Sequence, residues 1–185
     1  MTDNRTDILL QGQLPSPIGA VALFWEPDET LRAIDFADNE DRLARLIRLH
    51  CGTPKHRRAP VPTAIRDAFA RYFAGDGAAL TGLAWRTGGT AFQHRVWRYL
   101  EQIPAGAIRR YGEVAAALGR PAAARAVGHA NGANPLSILL PCHRLVGADG
   151  RLTGYAGGLT RKRWLLLHEG VNPDGIGRRV VSTGG

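Results

Sequence analysis

At Thr87-Gly88-Gly89 the chain changes character, and that break constrains its fold more than any other feature. Before it, apolar residues come in short runs separated by turn chemistry; after it they recur at helical spacing. Charge changes at the same place. Residues 1–89 carry 11 Lys+Arg and 11 Asp+Glu, whereas residues 90–185 carry 13 and 5, so the whole net charge of +8 belongs to the second half. Two packing units follow: an N-terminal α+β unit over residues 1–86 and a helical unit over 87–172, with residues 173–185 as a loose tail. A basic half-chain attracts a polyanion, of which nucleic acid is the commonest. A solvated, solubilising face is the competing reading.

In the first unit, turn signals at Pro15-Ser16-Pro17-Ile18-Gly19 and Glu26-Pro27-Asp28-Glu29 divide Ile8 to Phe36 into a three-strand meander, a small antiparallel sheet. Asp38 or Asn39 caps a helix reaching His50, Thr53 to Pro62 reads as a loop, and a second helix runs from Thr63 to Phe73. A short strand is expected near Leu80 to Trp85. In the second unit, Thr90 and Gln93 form a capping box that opens a helix carrying Phe92, Val96, Leu100 and Ile103 and ending at Pro104. Two short helices, Tyr111 to Leu118 and Pro121 to Asn131, flank Gly119-Arg120 in a helix-turn-helix silhouette, and a last helix spans Thr160 to Glu169.

With 44% apolar and 22% charged residues, neither disorder nor a fibrous repeat is in prospect. No apolar run approaches the roughly 18 residues of a membrane span, and the start, Met-Thr-Asp-Asn-Arg-Thr-Asp, is too polar for a secretory signal, which points to the cytoplasm. The two cysteines, Cys51 and Cys142, lack metal-site spacing and read as free thiols, so no metal is expected. Cys51 reads as a packing residue at a helix end.

The helix around Arg125 is rich in alanine and glycine, which suits close approach to a groove but not the reading of base edges. Pro141-Cys142-His143-Arg144 follows the apolar Ile138-Leu139-Leu140, where a buried segment emerges. Read as a strand, it points neighbouring side chains to opposite faces, so His143 reaches the Cys142 thiol only through a turn or a bridging water.

Together these segments resemble the methylated-DNA–protein-cysteine methyltransferases, which repair O6-alkylguanine. The resemblance rests on Pro141-Cys142-His143-Arg144, on Ala123-Ala124-Arg125-Ala126-Val127-Gly128 with Asn131 and Asn134-Pro135, and on Gly154-Tyr155-Ala156-Gly157-Gly158. The closing Trp164-Leu165-Leu166-Leu167-His168-Glu169-Gly170 completes it, while Ser16-Pro17-Ile18-Gly19 echoes it faintly at the other end. It implies a ribonuclease H-like N-terminal unit and a winged-helix-like C-terminal one. The implied reaction is irreversible transfer of an alkyl group from O6-methylguanine, and by family habit O4-methylthymine, to Cys142, one protein molecule being consumed per lesion.

The resemblance further implies that His143 activates Cys142 through a water while Glu169 orients the imidazole, a nucleophile–base–acid arrangement. Tyr111 would bond the purine and contact a phosphate, and Asn134 would brace the cysteine turn. Arg125 would fill the gap left by the flipped nucleotide, with Ala124 and Gly128 against the minor groove. Leu145, Tyr155, Ala156 and Gly157 would line the substrate pocket, the carbonyls of Cys142 and Leu145 accepting from the guanine amino group. Glycine at 157 would leave room for bulky alkyl groups. Ala156 and Ser137 stand where some relatives have serine and proline. Neither metal nor organic cofactor is implied; the partner is double-stranded DNA, bound by a monomer. The alternatives are a damage-recognition protein without chemistry, which Cys142 argues against, a Cys-His hydrolase, and a transcriptional regulator.

Overall fold

The computed structural model describes residues 7–176. Three strands form the expected meander: β1 (Ile8–Leu14), β2 (Val21–Trp25) and β3 (Leu31–Phe36), with β2 antiparallel to both neighbours. Helix α1 (Glu40–Cys51) has Glu40 and Asp41 in its first turn, where the helix dipole favours negative charge. It lays Leu43, Ile47 and Cys51 on one face of the sheet, over Leu9, Ala22, Phe24 and Ala33. Cys51 is thus the helix-end packing residue the sequence suggests.

The stretch read as a loop contains a fourth strand, β4 (Lys55–Arg58), which pairs in parallel with β1. The sheet is therefore mixed, in the order β3-β2-β1-β4, and not purely antiparallel. Lys55-His56-Arg57-Arg58 shows no apolar alternation, because an edge strand exposed along its length needs none. Its ladder with β1 holds it in place.

Helix α2 (Thr63–Phe73) buries Ile65, Phe69 and Tyr72. The expected strand near Leu80 to Trp85 is instead a series of turns interrupted by Gly82 at φ +88°. Only Trp85 is left to form a single bridge to Leu31.

The second half begins with α3 (Ala91–Glu101), where both bonds of the Thr90/Gln93 capping box are made. The two-residue strand β5 (Arg109–Arg110) leads into α4 (Tyr111–Ala117). Pro121–Ala123 is a 3-10 turn, so the next helix, α5 (Ala124–Gly132), starts later than the sequence suggests. Strand β6 (Leu145–Val146) pairs in parallel with β5, and α6 (Leu159–His168) closes the unit, burying Leu165 and Leu166 while Leu167 stays exposed. Pro173–Gly175 is a further 3-10 turn with Pro173 buried, so the start of the expected loose tail is ordered; the rest lies outside the described residues. Among the described residues, no helix is long and apolar enough to cross a membrane.

A single apolar cluster runs through both halves, joining Leu23, Ile34 and Phe69 to Trp97, Val127 and Leu165. Backbone pairing crosses the halves as well. Ile34 N–H donates to the Pro135 carbonyl (2.8 Å) and Ser137 N–H to the Ile34 carbonyl (2.9 Å), so β3 grips the segment leading to Cys142.

Candidate active site

The segment from Asn134 to Arg144 is shaped by its own side chains before any neighbour acts on it. Asn134 is fully buried; its Nδ2 donates to the Leu140 carbonyl (2.9 Å) while its Oδ1 accepts from the Leu136 N–H (2.9 Å). It therefore ties the turn closed. Between these anchors Ile138 sits at φ +72° although β-branched and buried, a conformation that costs about 1–3 kcal/mol and persists only where surroundings enforce it. Asp35 and Arg42 help to supply that enforcement. Arg42 pairs with Asp35 and donates to the carbonyls of Gly132 (3.1 Å) and Asn134 (3.0 Å), and Ser137 Oγ donates to Asp35 (3.4 Å).

Cys142-His143-Arg144 forms a 3-10 turn, not a strand. Both Cys142 and His143 are buried, and His143 turns toward Glu169: its Nε2 lies 2.8 Å from Glu169 Oε1. The guanidinium of Arg144 grips the same carboxylate twice, Nε to Oε2 at 2.8 Å and Nη2 to Oε1 at 2.7 Å, and donates also to the Ile103 carbonyl. The Tyr72 hydroxyl adds a bond to Oε1 at 2.7 Å. Burial alone would raise the Glu169 carboxyl, but the bonds from His143 and Arg144 outweigh it and hold the group well below the usual carboxylate range.

Glu169 is therefore an anion, and an anion can only accept. The proton in the pair must belong to His143 Nε2. Burial keeps the imidazole neutral, pushing its pKa down against the pull of Glu169, so Nδ1 carries a bare lone pair. That nitrogen is buried and bonds to nothing among the described residues. The turn thus presents a neutral base with a fixed tautomer on the residue that follows the thiol.

The thiol itself rests protonated. Burial pushes Cys142 up, against the Asn134 side chain and the positive charges of Arg42 and Lys162, which lower it. Activation of a thiol asks for a lowered value, and the burial of Cys142 works in the other direction. Asn131 Nδ2 donates to the Cys142 carbonyl (3.3 Å), and the Leu145 N–H donates to that same oxygen.

Of the remaining expected residues, Tyr111, Tyr155 and Leu145 adjoin this centre, whereas no contact ties Ala156, Arg125, Ala124 or Gly128 to it among the described residues. Tyr111 opens α4, and its half-buried phenol is pushed up by burial and by the neighbouring Cys142 while a bond with Thr153 lowers it. Tyr155 stands edge-on to His143 with ring centroids 6.4 Å apart, and its hydroxyl is buried without a partner among the described residues. The Leu145 carbonyl accepts from the ammonium of Lys162. Ala156 is exposed, its carbonyl accepting from Asn39 Nδ2 (3.2 Å). Arg125 projects from α5 into solvent without a hydrogen bond or ion pair among the described residues. Ala124 and Gly128 lie one helical turn apart on α5, and a Cβ added at Gly128 would meet nothing within 4 Å. Among the described residues, no contact requires a glycine there.

Gly157 is a correction. A Cβ at this position would come within 2.6 Å of the Phe36 ring and 2.7 Å of the Tyr155 ring. It leaves no open space; it lets the loop pack against β3.

Sequence reasoning passed over four residues. Tyr72, Asp35 and Arg42 belong to the other half of the chain and carry no local signal. Lys162 sits in an Arg-Lys-Arg run that reads as a solvated face, yet it is fully buried, bonds the carbonyls of Leu145 and Thr153, and is drawn down to about 8 by burial.

Residues 91–171 match the family described as 6-O-methylguanine DNA methyltransferase, DNA binding domain. The chain is 48% identical over 164 residues to the methylated-DNA–protein-cysteine methyltransferase of Salmonella typhimurium, covering 88% of this chain and 96% of that one. It is 40% identical over 157 residues to the protein of that name from Haemophilus influenzae, covering 85% and 84% respectively. The crystal structure of Mycobacterium tuberculosis OGT in complex with DNA superposes with a TM-score of 0.73 at 39% identity, covering 88% of this chain and 92% of that one.

Proposed function

The chain belongs to the methylated-DNA–protein-cysteine methyltransferases, and from that premise we propose how its residues carry out the family's reaction, the direct reversal of DNA alkylation by transfer of the alkyl group to a cysteine of the protein itself. Cys142 is the acceptor. His143 Nδ1 takes the thiol proton through a bridging water, Glu169 stabilises the imidazolium that results, and the thiolate attacks the alkyl carbon on guanine O6. The S–C bond forms as the C–O bond breaks, its electron pair passing to the purine oxygen. The product is a thioether, which offers water no carbonyl to attack. Turnover is absent and no cofactor takes part. The observation that carries this reading is the 2.8 Å His143–Glu169 pair, which leaves Nδ1 as the ring's one basic lone pair, on the residue that follows Cys142.

The partner is double-stranded DNA containing O6-alkylguanine, met from the minor groove by a monomer in the cytoplasm. The open side of Gly128 and the small Ala124 admit the backbone closely, and the unpaired Arg125 enters the stack in place of the flipped nucleotide. Tyr111 bonds the purine and Asn134 keeps the cysteine turn closed. Leu145, Tyr155, Ala156 and Gly157 form the wall around the base. The units of residues 1–86 and 87–172 correspond to a ribonuclease H-like and a winged-helix-like fold, a reading supported by a sheet ordered β3-β2-β1-β4 with β4 parallel to β1. O4-methylthymine is the secondary substrate.

Cys142→Ser provides the test. It abolishes alkyl transfer yet binds alkylated duplex within a small factor of wild type, because the thiol supplies chemistry and not phosphate contact. Transfer retained in that variant would remove Cys142 as the acceptor.

A further inference from the structure

Three donors converge on one carboxylate oxygen. Glu169 Oε1 accepts from His143 Nε2 at 2.8 Å, from Arg144 Nη2 at 2.7 Å and from the Tyr72 hydroxyl at 2.7 Å. Two of these come from the turn that carries Cys142. The third arrives from α2, 97 residues away along the chain.

Tyr72 is held from both sides. Its backbone carbonyl accepts from His168 Nε2 at 2.8 Å, and its ring stands edge-on to those of Phe73 (5.2 Å) and His168 (5.4 Å). It is 1% exposed, so the position and direction of its hydroxyl are set by packing. Phenylalanine would fill the same space without a polar group to bury, and burying a hydroxyl is unfavourable unless it is bonded. What the hydroxyl adds is its bond to Glu169.

The geometry points to Tyr72 as a positioning residue of alkyl transfer: its O–H fixes Glu169 Oε1 against His143 Nε2, so that the N-terminal unit supplies an atom to the proton relay. This rests on the relay assigned above. Arg144 alone would leave the carboxylate free to follow the guanidinium; the phenol, approaching from another element, fixes the oxygen that faces the imidazole. The hydroxyl also takes up part of the charge on Oε1. When it is removed, the imidazolium meets a less compensated carboxylate and becomes more favourable. His143 then holds its blocking proton on Nδ1 to a higher pH. The other groups facing the pair are unchanged by that substitution: Arg144 on the same turn, Lys162 on α6, the Cys142 thiol and the Tyr155 ring.

The experiment is Tyr72→Phe in the full chain, followed by single-turnover transfer from an O6-methylguanine duplex across pH. A hydrogen bond to a charged group is worth about tenfold or more in an equilibrium. The expected result is transfer about three- to tenfold slower at neutral pH, an acid limb displaced to higher pH, and unchanged affinity for the duplex. An NMR titration of the His143 ring in the same variant reads the shift independently of activity. A wild-type acid limb and ring titration would overturn the inference, as would a uniform loss at all pH values accompanied by a lower melting temperature, which would mark mere packing. If Cys142→Ser loses all transfer while Tyr72→Phe keeps the wild-type profile, Tyr72 drops out and the acceptor stands.

Discussion

Replacing Glu169 by Gln tests the relay at its most connected atom pair. The carboxylate collects Tyr72, His143 and both arms of Arg144, with the side chains of His143 and Glu169 fully buried. Glutamine keeps the shape and one accepting oxygen, but it removes the charge and sets an NH2 against a donor. Removing one partner from a buried ion pair typically costs about 3–5 kcal/mol, and the oxygen that remains places this case near the lower end. Against a total of roughly 5–15 kcal/mol the variant still folds, so its chemistry can be read.

Positioned acid–base groups contribute about 10²–10⁴ in rate, and without the anion His143 Nε2–H has no fixed acceptor, so transfer should fall by about 10² or more. Urea denaturation and single-turnover transfer from a methylated duplex measure the two effects. Acid supplies an internal control. A carboxylate whose folded pKa is depressed contributes stability that is present above its unfolded value, about 4.3, and is lost as pH falls toward the folded one. The gap between wild type and variant is therefore full at neutral pH and narrows below about pH 4. Glu169→Gln within about 0.5 kcal/mol of wild type, with comparable transfer, would refute the reasoning.

Arg125→Ala should slow repair of duplex DNA far more than reaction with the free alkylated base, since only the duplex leaves a gap to fill; equal losses on both substrates would place Arg125 elsewhere. Gly157→Ala adds a Cβ against Phe36 and Tyr155, and overpacking of that kind costs about 1–3 kcal/mol, so methyl and benzyl transfer should decline together. Selective loss of benzyl transfer would restore Gly157 as a gate. Binding should weaken steeply with salt and depend little on flanking sequence, because the basic half holds the backbone through counterion release; a salt-insensitive affinity would count against that half as the DNA-binding face.

What the sequence discloses follows the range of the interactions. The Thr90 capping box and the break at Gly119 are local, and each lies where the sequence puts it; α1 starts after Asn39, one of the two expected caps, although the Asn39 side chain makes no cap bond. Strand β4 is invisible because nothing in Lys-His-Arg-Arg favours a strand; its ladder partner, β1, lies more than forty residues earlier. The Cys142 motif is legible as chemistry but not in its geometry, since a 3-10 turn, and not a strand, sets His143 on Glu169. The N-terminal contribution to the site was hidden altogether. Asp35, Arg42 and Tyr72 each look like ordinary surface or core residues until the two halves pack, and only then do the first two brace the segment before Cys142 and the third bond Glu169. Gly157 is legible as permissive, but not the Phe36 and Tyr155 rings that occupy the space beside it.

The central claim is that the alkyl group ends on Cys142 and stays there. The direct measurement is the intact mass of the chain after incubation with an O6-methylguanine duplex, followed by peptide mapping. One methyl group per chain is expected, carried by the peptide containing Cys142, with no further reaction when fresh substrate is added. Disappearance of O6-methylguanine with the protein mass unchanged, or a methyl group mapped to Cys51, would contradict it.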